Sequence, residues 1–208
     1  MSAILWLTLM TVVAPTHKET FDRVSSTVSS AAWYFSYERE REVARVYRAM
    51  ELVAQTTWPR DLNKMMSKWA DGSDPTQMAD AIVLAAHRND VDPLLLVSIA
   101  WKESHFQRSA KGDKRAGMPR SCGPTQIRVD IRGRPSCDAF MDPYFAFDWT
   151  SQFLLTFPRS GGKINMTPYN GAKAGQAFWD LVSWMDKRLA REQPLRLASL
   201  YSHSWDVE

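Results

Sequence analysis

The residue of this sequence best placed to do chemistry is a glutamate at the end of an apolar run. Leu94, Leu95, Leu96, Val97, Ser98, Ile99, Ala100, Trp101, Lys102 and Glu103 read as a mostly buried helix, and at one turn per 3.6 residues Glu103 shares a face with Leu96, Ile99 and Ala100. Partial burial raises a carboxyl above its ordinary value of about 4.3 and keeps a fraction protonated, which is what a general acid requires. The plain alternative is an exposed Glu in a last helical turn, and spacing alone does not separate the two. Asp130, Asp138, Asp142 and Asp148 are candidates for a second carboxylate, as a reaction that activates water would need.

Polar residues follow Glu103 in three places: Ser104 directly after it, the segment Gly123, Pro124, Thr125, Gln126, Ile127, and the triplet Tyr169, Asn170, Gly171. Each has an ordinary structural explanation. Ser104 can be a helix-terminal hydroxyl, Gln126 a loop amide satisfying backbone groups, Tyr169 a core ring with its hydroxyl paired, and Asn170 with Gly171 a turn. His105 reads as a surface residue. In this order, and with helices beside each segment, the series resembles the soluble lytic transglycosylase domain, a relative of goose-type lysozyme. That family carries a Glu-Ser pair at a helix end, a Gly-Leu-Met-Gln segment after a loop, and an Ala-Tyr-Asn-Gly or Ala-Tyr-Asn-Ala-Gly segment before a later helix. The resemblance covers roughly Asp74 to Arg191. It departs from the family where Pro124 and Thr125 replace the apolar pair, where Pro168 precedes the Tyr, and where an insertion between Ser104 and Gly123 carries Lys111, Lys114, Arg115 and Arg120.

The resemblance implies cleavage of peptidoglycan glycan strands at the MurNAc-GlcNAc bond, with Glu103 as catalytic acid and base. A carboxylic acid protonates the glycosidic oxygen as the bond breaks through an oxocarbenium-like transition state. The same group then deprotonates the sugar's C6 hydroxyl to close a 1,6-anhydro ring, assisted by the N-acetyl group. This route needs no second carboxylate, no metal and no cofactor. By the same resemblance Ser104 helps position Glu103 or the substrate, Gln126 hydrogen-bonds substrate, and Tyr169 and Asn170 line the cleft. A hydrolytic muramidase is the near alternative.

These residues require helices to carry them, so the implied class is mainly α: a lysozyme-like catalytic domain with minimal β over residues 73–208, preceded by a helical extension at 16–72 and an apolar segment at 1–15. From Thr20 to Gln55 there is no Gly or Pro, and Val43, Val46, Tyr47, Met50 and Val53 form a helical stripe opposite a charged face. A short helix is expected up to Trp69, and Asp71, Gly72, Ser73 and Asp74 mark a boundary. Asp74 with Pro75, and Asp92 with Pro93, each read as a helix start, the first with Gln77 placed for a capping box and with Met78, Ile82, Ala85 and Ala86 as its buried stripe. Residues 107–148 read as loops with a small hairpin. Gln152 to Phe157 reads as a helix end, and Pro158 to Gly162 as a turn. A last helix is expected from about Lys173 to Arg191, with Phe178, Leu181, Val182, Met185 and Leu189 inward.

The two cysteines, Cys122 and Cys137, have no His or further Cys at ligand spacing, so a disulfide is favoured over a metal site, with two free thiols as the alternative. A disulfide here contributes roughly 3 kcal/mol and indicates an oxidising compartment: the periplasm, the cell envelope or a phage virion rather than the cytoplasm. The formal charge of +3 is too balanced for a nucleic-acid partner yet compatible with a polyanionic wall. Residues 1–15 are too short to span a bilayer, which takes about 20 apolar residues, and resemble a signal-peptide core without its basic lead. Membrane contact, packing against virion or secretion-apparatus proteins, and joining the core are equal readings of that segment. Two readings of another class remain beside the enzyme: an inactive structural or assembly protein with a lysozyme-like fold, and a helical binding module.

Overall fold

The structure, a computed structural model, describes residues 17–57, 74–112, 114, 116–170 and 172–202, with side chains described over 36–56, 74–112, 114, 116–169 and 175–192. The chain divides into two compact units, residues 1–40 and 41–208. The apolar segment 1–15, the expected helix up to Trp69 and the boundary expected near residue 72 lie outside the described residues.

The described residues are mainly helical with a few short antiparallel strands. In chain order they form α1 (His17–Thr57), α2 (Pro75–Asn89), α3 (Pro93–Ser104), β1 (Lys111–Gly112), β2 (Ser121–Cys122), β3 (Ile127–Arg128), a 3-10 turn (Ala139–Met141), α4 (Pro143–Leu155), β4 (Arg159–Ser160), β5 (Lys163–Ile164), α5 (Thr167–Asn170) and α6 (Ala172–Ser202). The strands pair antiparallel as β1-β2-β3 and β4-β5. Within the larger unit, Val46, Met50 and Val53 of α1 are fully buried, as their spacing requires, and share one core with α2, α3, α4 and α6. Arg48 anchors the rim of this packing, its Nε and Nη2 donating to Glu192 of α6 at 2.8 and 2.9 Å and its Nη1 to Glu51 at 2.9 Å.

Three helices begin the same way. Asp74, Asp92 and Asp142 each stand before a proline and accept a hydrogen bond from the backbone N–H two residues on, at 2.8, 2.8 and 2.9 Å. Proline lacks the N–H that a first helical turn leaves unpaired, and the Asp cap is worth about 1 kcal/mol. The third of these starts corrects the reading of 107–148 as loops with a small hairpin throughout: α4 begins at Pro143, well ahead of Gln152. The hairpin expected in that stretch is a three-stranded sheet, with Lys111 opposite Cys122 and Cys122 opposite Ile127. Cys122 and Cys137 are joined by a disulfide with Cα atoms 5.4 Å apart. The last helix runs past Arg191 to Ser202, with Phe178, Val182, Met185 and Leu189 buried and Leu181 partly so.

Candidate active site

Helix α3 is buried from Leu94 to Trp101, each large apolar side chain contributing about 1.5–3 kcal/mol, so the position of its last turn is set by the core. That turn alternates in environment: Lys102 is exposed, Glu103 half-buried and Ser104 buried. The helix then stops abruptly. His105 and Phe106 both take left-handed backbone conformations (φ 54° and 63°), and their N–H groups close onto the carbonyls of Trp101 and Ala100 at 3.0 and 3.2 Å. Non-glycine residues in this region are strained by about 1 kcal/mol or more, and such strain collects where geometry is functionally constrained. His105 is exposed, with its ring edge-on to Trp101 at 4.6 Å.

Glu103 lies in a cleft of about 530 Å³, lined also by Gly112, Ser121, Gln126, Arg134 and Tyr169 among others. The segment Gly123 to Gln126 is the loop joining β2 to β3, and every part of it is fixed. Gly123 has φ 78°, and a Cβ there would run into the carbonyl of Phe140, so only glycine fits. Ser104 Oγ donates to the carbonyls of Pro124 at 2.7 Å and Ala100 at 3.1 Å. Tyr169 Oη donates to the carbonyl of Thr125 at 2.9 Å, and Thr150 Oγ1 donates to Thr125 Oγ1 at 2.9 Å. Gln126, itself left-handed at φ 48°, donates through Nε2 to Ala110 and Gly123 carbonyls at 3.0 and 2.9 Å and accepts from Ser121 Oγ at 3.0 Å.

Sequence-distant residues thus meet in one place. Glu103, Gln126 and Tyr169 line the cleft, whereas Ser104 sits behind it as a clamp on the loop. The backbone of Asn170 ends α5, and its side chain lies outside the described residues. Tyr169 packs edge-on to Phe178 at 5.8 Å, and burial first, then the negative charge of Glu103, holds its phenol well above the ordinary value of 10.0. At two of the positions that depart from the resemblance, Thr125 is paired to Thr150 through its hydroxyl, and Pro124 offers its backbone carbonyl to Ser104. In the insertion, Lys111 stands in β1, Arg120 is bound to Asp130 at 2.7 Å, Lys114 is exposed and Arg115 lies outside the described residues.

The candidate second carboxylates are placed elsewhere. Arg128 and Arg120 grip Asp130 and hold its carboxyl well below the usual carboxylate range. Asp142 caps α4, Asp148 accepts from Arg88, Asn89 and Gln152 at 3.1, 3.2 and 2.8 Å, and Asp138 is exposed before the 3-10 turn. Among the described residues, Glu103 is the one carboxylate lining the cleft. Among them, too, no three His, Cys, Asp or Glu gather as a metal site, and no helix is long and apolar enough to cross a membrane. Comparison of the chain with protein-family profiles, with curated proteins and with solved structures finds no match.

Sequence reasoning overlooked a further part of the lining. Arg128, Ile131, Arg134 and Phe153 line the cleft, and the Arg134 guanidinium lies over the rings of Trp149 and Phe153 at 5.0 and 5.6 Å. The signal was present: Trp149 and Phe153 are one helical turn apart, a face that emerges once Asp142-Pro143 is read as a helix start.

Proposed function

We propose that this chain is a peptidoglycan lytic transglycosylase, with a lysozyme-like catalytic domain over residues 73–208 and Glu103 as catalytic acid and base. The observation that carries this reading is the meeting of Glu103, Gln126 and Tyr169 in one cleft, drawn from three segments separated in sequence. Such convergence is what the resemblance requires and what an incidental match of short motifs has no reason to produce. Glu103 stands on a helix terminus anchored by the core and is half-buried at the cleft, where it can donate a proton to a glycosidic oxygen. With Glu103 as the lone carboxylate among the described lining residues, the arrangement suits chemistry in which the substrate's own C6 hydroxyl replaces water as nucleophile. The acid gives its proton to the leaving sugar oxygen, and the resulting carboxylate takes the C6 hydroxyl proton as the 1,6-anhydro ring closes.

Ser104 and Tyr169 serve this reaction by holding the Gly123–Gln126 loop against the acid, and Gln126, both of whose amide N–H groups are taken by the Ala110 and Gly123 carbonyls, presents Oε1 as a fixed acceptor for a sugar hydroxyl. No cofactor takes part. The Cys122–Cys137 disulfide supports action outside a reducing compartment, in the periplasm or envelope or from a phage virion or envelope-spanning apparatus. Turbidity of a suspension of purified cell walls tests the reading: the protein clears it, and Glu103→Gln, with an unchanged circular dichroism spectrum, slows clearing at least ~100-fold. Equal clearing by both proteins would remove Glu103 from the mechanism.

A further inference from the structure

The cleft that holds the candidate acid also holds a cation that the reaction does not use. Arg134 is half-buried and its guanidinium lies on Trp149 and Phe153, while Nη1 donates to the carbonyl of Arg128 at 2.9 Å. Arg120 and Arg128 are both bound to Asp130, but among the described residues Arg134 forms no ion pair. A guanidinium held by stacking and by one carbonyl has lost most of its freedom in advance, so little further ordering opposes ligand binding. Its remaining N–H edge is a planar fork whose natural counterpart is a carboxylate. Phe153, which carries the guanidinium, lines the cleft beside it, so the fork lies within reach of a ligand there.

We propose that Arg134 is a specificity-determining residue that recognises a carboxylate on the bound glycan, resting on the transglycosylase reading above. The muramyl sugar carries a lactyl arm, and this arm supplies the charge in two ways: as its own free carboxylate in peptide-stripped strands, or through the carboxylates of the attached stem peptide. Neutral N-acetylglucosamine oligomers have neither. The cleft therefore prefers carboxylate-bearing strands over neutral ones of equal length.

The test is titration calorimetry at low salt on the Glu103→Gln protein, which binds without cleaving. The ligands are a neutral chitooligosaccharide, a peptide-stripped glycan and a peptide-bearing glycan of matched length. The expected affinity for at least one charged ligand is about tenfold above the neutral one, and the preference shrinks as salt is added. Which charged ligand gains identifies the lactyl or the stem carboxylate as the group read. Adding Arg134→Gln should bring the ratio close to one, and Arg134→Lys, which keeps the charge without the fork, should leave about a third of it. A ratio unchanged by Arg134→Gln and by Arg134→Lys would overturn the assignment, as would a ratio of one in the parent protein, while binding of the neutral oligomer in either case leaves the glycan cleft standing. Failure of all three ligands to bind would remove the glycan cleft and the assignment together.

Discussion

Glycine at 123 and tyrosine at 169 show how single residues build this cleft. Gly123→Ala places a methyl group against the backbone carbonyl of Phe140 in a left-handed conformation, so the loop has to move. The expected cost is about 2–4 kcal/mol, read as a fall in the urea midpoint with unchanged slope, together with weakened wall clearing. A midpoint within error of the parent would show that the loop yields freely and does not hold Gln126. Tyr169 makes a pH prediction. Its folded-state phenol is raised above the ordinary value of 10.0, so its contribution to stability is complete below pH 10 and is lost as the pH climbs beyond it. Tyr169→Phe should therefore flatten the alkaline decline in stability and remove one late-ionising phenol from an ultraviolet titration. If the variant titrates and unfolds at high pH like its parent, Tyr169 is not the buried phenol. At this scale the sequence singled out residues that the fold gathers around one cleft, but not the contacts they make there. In the sequence Ser104 reads as a group that positions Glu103 or the substrate, with a helix-terminal hydroxyl as the alternative, and its bond to Pro124 is a long-range contact that no local pattern encodes.

The elements differ in how plainly the sequence announces them. Helices α2 and α3 are marked by Asp-Pro starts and apolar runs, and the buried stripe of α1 follows its period. Helix α4 carries the same Asp-Pro start, but its first turns hold Tyr144 and Phe145, both exposed, and Phe140 just before them is buried in the satellite cluster around Cys122, so the apolar pattern runs across the boundary. The strands are two residues each, too short for an alternating signal, and their pairing depends on the loops between them. The disulfide adds a tie to the central strand: it joins Cys122 of β2 to Cys137 and so closes the segment that carries Ile131 and Arg134 along the cleft. Replacing both cysteines by serine should cost roughly 3 kcal/mol in unfolding free energy and make this segment exchange its amide hydrogens faster than α3 does. Uniform exchange across both would mean that the disulfide stabilises the whole unit without specially holding the cleft wall.

Across the whole molecule, the architecture explains why a balanced composition still yields a specialised surface. A core shared by α1, α2, α3, α4 and α6 fixes the end of α3, and the loop, the short sheet and α5 are then stitched to that end by hydrogen bonds from Ser104, Tyr169 and Gln126. Nothing in net charge or hydropathy reveals this, because the cleft is lined by residues 103, 126, 134 and 169, which the chain brings together only on folding. The proposed chemistry is decided by its products. Purified peptidoglycan digested with the protein and with Glu103→Gln, and weighed by mass spectrometry, should release muropeptides lighter by one water than reducing-ended ones, and the variant should release none. Reducing-ended products would contradict the transglycosylase and make the enzyme a muramidase, and an absence of products from both proteins would contradict catalysis altogether.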